Sequence, residues 1–178
     1  TLNNTTLRSE AGSGVLVKGS ALDLTLSNGS LVYGGNGTAL SAGANVNDKG
    51  EVFLSTVNVT ANGASQLLGD VIVSDDSLVN LTLNDGSTLS GATQNVNQLI
   101  LNSASSWLVT ADSNLNTLTM DGGSVVFNNA SGFSSLAVKG DLAGSGSFAF
   151  NTQLGGDDSP SDRLLVNGNA SGSYDVSV

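Results

Sequence analysis

This sequence predicts an all-β fold, a right-handed parallel β-helix, and three observations carry the prediction. First, an apolar-x-apolar triplet followed by a polar or glycine turn recurs at Leu81-Thr82-Leu83, Leu99-Ile100-Leu101, Leu118-Thr119-Met120 and Leu136-Ala137-Val138, in steps of 18, 19 and 18 residues. A short period with strand chemistry is the mark of a solenoid whose repeat is one coil. Second, 23 glycines, a single proline and apolar residues drawn mainly from Val, Leu and Ala favour many short strands joined by turns. Third, no segment sustains apolar residues at i, i+3, i+4 and i+7 without a glycine or Asn-Gly breaker, so helix is excluded.

The elements follow in chain order. Leu22-Asp23-Leu24-Thr25-Leu26 alternates at period two, Ser27-Asn28-Gly29 turns, and Leu31-Val32-Tyr33 resumes. Asn and Gly tolerate positive φ, so this reads as strand, turn, strand. Gly34 to Lys49 has few β-branched residues and is expected to be a coil with an enlarged loop. Val52-Phe53-Leu54 with Val57-Asn58-Val59, and Val71-Ile72-Val73 with Leu78-Val79, are the next two units. In the clean repeats a second apolar group follows each triplet: Leu89 after Asn84-Asp85-Gly86-Ser87, Trp107-Leu108-Val109 after Asn102 to Ser106, and Val125-Val126-Phe127 after Asp121-Gly122-Gly123-Ser124. Each coil therefore holds at least two strands joined by a tight corner. With strands stacked about 4.8 Å apart, eight or nine coils of about 20 residues make a rod on the order of 40 Å long. The crossover sense favours right-handed winding.

From Leu142 the pattern changes. Gly144-Ser145-Gly146-Ser147 opens into Phe148-Ala149-Phe150, and an acidic loop, Gly155 to Asp162, leads to Arg163-Leu164-Leu165-Val166. Asn167-Gly168-Asn169 then turns the chain into the alternating Ser173-Tyr174-Asp175-Val176-Ser177-Val178. A solenoid must protect the open edge of its last rung. Residues 1–141 are thus expected to form the coils and 142–178 a C-terminal cap.

Composition narrows the function. With 5 basic and 15 acidic residues the net charge is −10, which disfavours phosphate backbones and anionic lipid, so no nucleic-acid partner and no membrane insertion are expected. There is no cysteine, hence no disulfide or thiolate metal site, and this suits a chain threaded across a membrane before folding. No apolar run approaches the ~20 residues of a spanning helix, and Thr1-Leu2-Asn3-Asn4 is not a signal peptide. The chain reads as a segment excised from something larger.

The phrases Ser106-Trp107-Leu108-Val109-Thr110, Ser113 through Leu118, Gly140 through Phe148, Asn151-Thr152-Gln153-Leu154, and Ser161 through Gly172 follow one another in a specific order. Taken in that order they resemble the C-terminal passenger region of pertactin-like bacterial autotransporters. The resemblance covers about the last 75 residues, roughly 104–178, and the remainder only as generic β-helix. It implies a segment, the autochaperone, that leaves the outer membrane first, folds first and templates the remaining coils. It also implies, as partners, the protein's own C-terminal membrane β-barrel and upstream passenger coils. A surface receptor is left unknown, and the implied location is the bacterial surface, anchored or released after cleavage. On it Trp107, Leu118, Phe127, Leu142, Gly144, Gly146, Phe148, Phe150, Asp162, Leu164, Val166, Gly168, Gly172 and Tyr174 become the folding and cap residues.

Catalytic and metal chemistry have little support. Without histidine or cysteine the usual general base and nucleophile pairs are missing, and no enzyme, cofactor or metal is expected. The paired carboxylates Asp75-Asp76 and Asp157-Asp158 are adjacent, and adjacent residues on a strand face opposite ways, so they read as solvated turn residues. Gly34 to Leu40 resembles one calcium-binding nonapeptide but places Ala39 where a liganding Asp belongs. Asn28-Gly29-Ser30 and Asn58-Val59-Thr60 are acceptor triplets of the kind a polar β-helix composition yields by itself. Trp107, Phe127, Phe133, Phe148, Phe150 and Tyr174 are expected to pack rather than bind. Arg163 is expected to pair with Asp162 and the acidic loop. The expected role is an autochaperone and stem within a surface factor of adhesin type. The alternatives are a secreted carbohydrate-active β-helix enzyme, or a self-associating rod using Asn, Thr and Ser ladders.

Overall fold

The computed structural model describes residues 1–74, 76–102 and 104–178, and within them the chain winds as a parallel β-helix with three faces per coil. The first face is a ladder of Leu2–Asn3, Ala21–Ser27, Thr56–Ala61, Leu78–Leu83, Val96–Asn102, the middle of Ser113–Phe127, Leu142–Ala149 and Ala170–Ser177. The second face stacks Thr6–Ser9, the start of Leu31–Gly43, the start of Gln66–Val73, Thr88–Ser90, Ser106–Val109 and the ends of the same last three strands. The third face carries Val15–Lys18, the ends of Leu31–Gly43 and Gln66–Val73, Thr93–Gln94, the start of Ser113–Phe127, Ser135–Val138 and Arg163–Val166. Three faces rather than two are what let the coil close around a core.

Parallel, in-register pairing puts like side chains above one another. Leu81 lies on Leu99 and Leu99 on Leu118, while Leu89 lies on Trp107 and Trp107 on Val125. All six are buried in one continuous core. Each such leucine is worth about 1.5–3 kcal/mol in removed apolar surface.

The fourth triplet does not belong to the column of the other three. Leu118 pairs with Leu142, a step of 24, and Leu136 lies on the third face between Ser113 and Leu164. The phrase is the same on every face because every face buries alternate residues, so spacing alone cannot assign it. Likewise Asn28 and Gly29 adopt positive φ, 53° and 74°, yet the strands they join pair with neighbouring coils and not with each other.

The stretch expected to be a loop from Gly34 to Lys49 is strand as far as Gly43. Its glycines are there because the rungs crowd: a Cβ on Gly35 would sit 2.0 Å from the Glu10 carbonyl oxygen. The enlarged loop begins later, as an antiparallel hairpin of Asn45–Val46 with Val52–Phe53. Val52 and Phe53 are thus exposed hairpin residues and not part of a coil. Residues 142–178 wind as further rungs of the same solenoid, so the proposed cap is built from the solenoid's own strands.

Candidate functional site

In the C-terminal coils an aromatic stack forms at the corner after the second face. Phe127 meets Phe150 at 5.0 Å between ring centroids, Phe150 meets Phe148 at 6.1 Å, and Phe148 meets the Tyr174 edge at 5.6 Å. These rings belong to three successive coils, so the stack bolts them together with offset and edge contacts of about 0.5–1.5 kcal/mol each. Phe133, outside this stack, is half-buried. Trp107 lies in a parallel column, between Leu89 and Val125, that runs on to Phe148 and Val176. It is fully buried, and its Nε1–H donates to the Gly91 carbonyl at 2.9 Å. A ring this deep packs and cannot serve as a surface anchor. Leu118 and Leu142 are stacked and buried beside it, and Leu164 and Val166 pack half-buried against the core from the third face. Burial raises the Tyr174 hydroxyl above its ordinary value, and that hydroxyl donates to the Ser171 carbonyl at 3.0 Å. The stabilisation is complete below about pH 10 and is lost as pH rises through the raised value.

Gly144 and Gly172 form a staircase at the opposite corner. Their φ angles are 105° and 119°, and Gly144 pairs with Gly172 in register. A Cβ on Gly144 would stand 1.9 Å from the Met120 carbonyl oxygen, and one on Gly172 would stand 1.7 Å from that of Gly144. Gly146 and Gly168 are similarly crowded, by the Gly123 carbonyl and by Asp141. Gly144→Ala is expected to cost about 2 kcal/mol or more through backbone strain and clash, read as a lower urea midpoint. Gly156→Ala, at an open loop position, should leave the midpoint unchanged.

Asp162 is the one buried carboxylate among the described residues. Its Oδ1 accepts the backbone N–H of Ser134 at 2.7 Å, and its Oδ2 accepts the Asn151 backbone N–H at 2.7 Å and side-chain Nδ2–H at 2.9 Å. Asn151 Nδ2 also donates to the Phe127 carbonyl at 2.9 Å. The acidic loop therefore leaves and rejoins the rod through one clamp, backed by the Thr152–Ser161 bridge. The expected pairing with Arg163 is not made: Arg163 points to solvent, and the ion pair found among the described residues is Arg8–Glu10. Hydrogen bonds from two backbone amides hold the carboxylate away from the arginine, because neighbouring strand residues face opposite ways.

Other carboxylates act as weaker ties of the same kind. Asp70 accepts from Ala92 N–H at 2.7 Å, Asp112 from Ser135 N–H at 2.8 Å, and Asp141 from Asn169 N–H at 2.8 Å, each across to the next coil. Asp76, Asp157 and Asp158 lie exposed in turns, Asp75 lies outside the described residues, and no metal-holding cluster of acids occurs among the described residues.

Sequence reasoning missed a serine spine at the corner between the first and second faces. Ser30, Ser65, Ser87 and Ser105 are buried there. Ser30 N–H donates to Ser65 Oγ and Ser65 N–H to Ser87 Oγ, both at 3.2 Å, while Ser65 Oγ–H donates back to the Asn62 carbonyl at 2.7 Å. For Ser65, Ser87 and Ser105 the available signal was a serine three residues after the asparagine of the corner. Asn58, Asn80 and Asn97 form an amide ladder along the rod with bonds of 2.9 and 2.8 Å, and so do Asn62, Asn84 and Asn102 at 2.9 Å. These amides are engaged with one another along the axis.

Residues 113–178, which hold the glycine staircase, the clamp and all of the aromatic stack, match the family model of the type 1 autochaperone domain. The chain is 38% identical over 104 residues to the probable autotransporter YfaL of Escherichia coli, covering 58% of this chain and 8% of the relative. It is 30% identical over 166 residues to the BrkA autotransporter of Bordetella pertussis, covering 89% of this chain and 15% of the relative. To the autotransporter adhesin/invasin TibA of another E. coli strain it is 29% identical over 161 residues, covering 81% and 16%. The chain thus spans less than a fifth of the length of these relatives. No solved structure matches it significantly.

Proposed function

Because this chain is the C-terminal region of a pertactin-like autotransporter passenger and carries a type 1 autochaperone domain over residues 113–178, we propose that its last coils nucleate folding of the passenger during export. Passengers of this kind stand on the bacterial surface, anchored to the outer membrane or released from it. The observation that carries the reading is the aromatic stack across three coils together with the buried Asp162 clamp, both of which lie within 113–178. Closing the first rung is the costly step of building a solenoid, since it orders a whole coil before any neighbour rewards it. Later coils each add one interface to an existing template. A segment with its own rings and clamp supplies that template, and the rest of the rod grows on it as a scaffold.

Within the whole protein this segment would be the stem, next to its own membrane β-barrel and below upstream coils. The protein would be a surface factor of adhesin type, as the name of the relative TibA suggests. The segment itself acts as a scaffold and not as a catalyst.

The test compares refolding from urea of the whole chain, a version ending at Asp141, and a version beginning at Ser55. The last keeps the C-terminal coils and loses two N-terminal ones. The Asp141 truncation is expected to fail to regain its β circular dichroism, and the Ser55 version to regain it at the rate of the whole chain. Equal refolding of both truncations would overturn the nucleation role.

A further inference from the structure

We propose that Asn36 and Gly37 form a self-modification site, at which the folded chain converts Asn36 to aspartate and isoaspartate through a succinimide. The sequence has four Asn-Gly pairs: Asn28-Gly29, Asn36-Gly37, Asn62-Gly63 and Asn167-Gly168. The reaction needs the glycine amide nitrogen free to reach Cγ of the preceding asparagine. At three of the pairs the fold blocks this.

Gly29 N–H donates to the Gly63 carbonyl at 2.8 Å, and Gly168 N–H to that of Gly140 at 3.0 Å. Both nucleophilic nitrogens are held in inter-coil bonds. At Asn62 the side chain is held instead, because Oδ1 accepts from Asn84 within the amide ladder, at 2.9 Å. Turning that carboxamide onto Gly63 would break the ladder.

Asn36-Gly37 differs in where its groups are held: the glycine is out of register with both neighbouring coils, and the carboxamide oxygen bonds within its own turn and not into an amide ladder between coils. The register with the next coil passes from Tyr33 on Leu68 straight to Thr38 on Asp70, and the register with the preceding coil stops at Gly34 and resumes at Leu40. Gly37 therefore lies in a bulge outside both ladders. It is exposed, with open space where a side chain would be. Asn36 Oδ1 accepts the Thr38 backbone N–H at 3.0 Å, which folds the carboxamide back over the Gly37 peptide. That donor sits on the oxygen where negative charge develops as Cγ becomes tetrahedral, so it acts as an oxyanion donor. Asn36 Nδ2 lies 3.4 Å from Ser13 Oγ, a hydroxyl beside the leaving nitrogen.

In the reaction, water takes the Gly37 amide proton and the nitrogen bonds to Cγ of Asn36. The bond from Cγ to the carboxamide nitrogen breaks, and ammonia leaves after accepting a proton from solvent. Water then opens the ring at either carbonyl. The net change is amide plus water to carboxylate plus ammonium, without oxidation or reduction. Isoaspartate lengthens the backbone by one carbon, which the unpaired bulge accommodates.

The folded chain and the same chain in urea would be held at mildly alkaline pH and mapped by peptide mass spectrometry, with isoaspartyl methyltransferase as the probe for isoaspartate. In the folded chain Asn36 is expected to convert about tenfold or more faster than Asn28, Asn62 and Asn167. In urea the four rates should converge. Equal rates at all four positions of the folded chain, or protection of Asn36 by folding, would overturn the proposal.

Discussion

Trp107→Ala is expected to lower the unfolding free energy of the chain by about 4 kcal/mol, seen as a fall in the urea midpoint by circular dichroism. The indole fills the column between Leu89 and Val125 and is closed to solvent, so its removal leaves a void that the fixed 4.8 Å stacking of the rungs cannot collapse. The Gly91 carbonyl also loses its donor. Domains of this size are stable by about 5–15 kcal/mol, so the loss is a large share of the whole. Trp107→Phe keeps most of the volume and should cost less than half as much. Leu108→Ala, on the outward side of the same strand, should be close to neutral. In the full-length protein Trp107→Ala should reduce display of protease-resistant passenger. Wild-type midpoint and display would show that the column is not what holds these coils together.

The second large effect belongs to Asp162. In Asp162→Ala the buried Ser134 N–H and the Asn151 N–H both lose their acceptor, and the expected cost is about 2–4 kcal/mol. Asp162→Asn retains one carbonyl acceptor but aims an amide donor at the other site, so an intermediate loss is expected. Arg163→Ala, which breaks no ion pair, should stay within about 0.5 kcal/mol. The loss in Asp162→Ala should appear also as faster protease cleavage after Leu154, at the exposed tip of the loop the clamp closes. If Arg163→Ala proved as damaging as Asp162→Ala, the carboxylate would be acting through the arginine and the clamp geometry would be wrong.

Four of the fifteen acidic residues are thus structural. Asp70, Asp112, Asp141 and Asp162 each accept a backbone N–H from another coil, where a corner leaves that donor outside the ladders. A carboxylate suits the task because it accepts only, at either oxygen, and makes a stronger bond than a neutral acceptor.

The sequence by itself determined the fold class, because period-two alternation and Asn/Gly/Ser corners are local properties of a chain and leave a parallel coil as the consistent architecture. It also determined the stacking of Leu81 on Leu99 on Leu118, since a full alternating phrase recurs at nearly constant spacing there. Only the tertiary structure decided which face a phrase occupies: Leu136 repeats the pattern of Leu118 yet lies on the third face, as all three faces bury alternate residues alike. It alone turned Gly34 to Gly43 into strand, because glycine there answers the approach of a neighbouring backbone distant in sequence and not a local preference for a loop. It alone gave Asp162 its partners, Ser134 and Asn151, which adjoin it only once two coils have been wound. Local chemistry fixes how each residue lies along a strand, and the length of the intervening loops fixes which distant strand it meets.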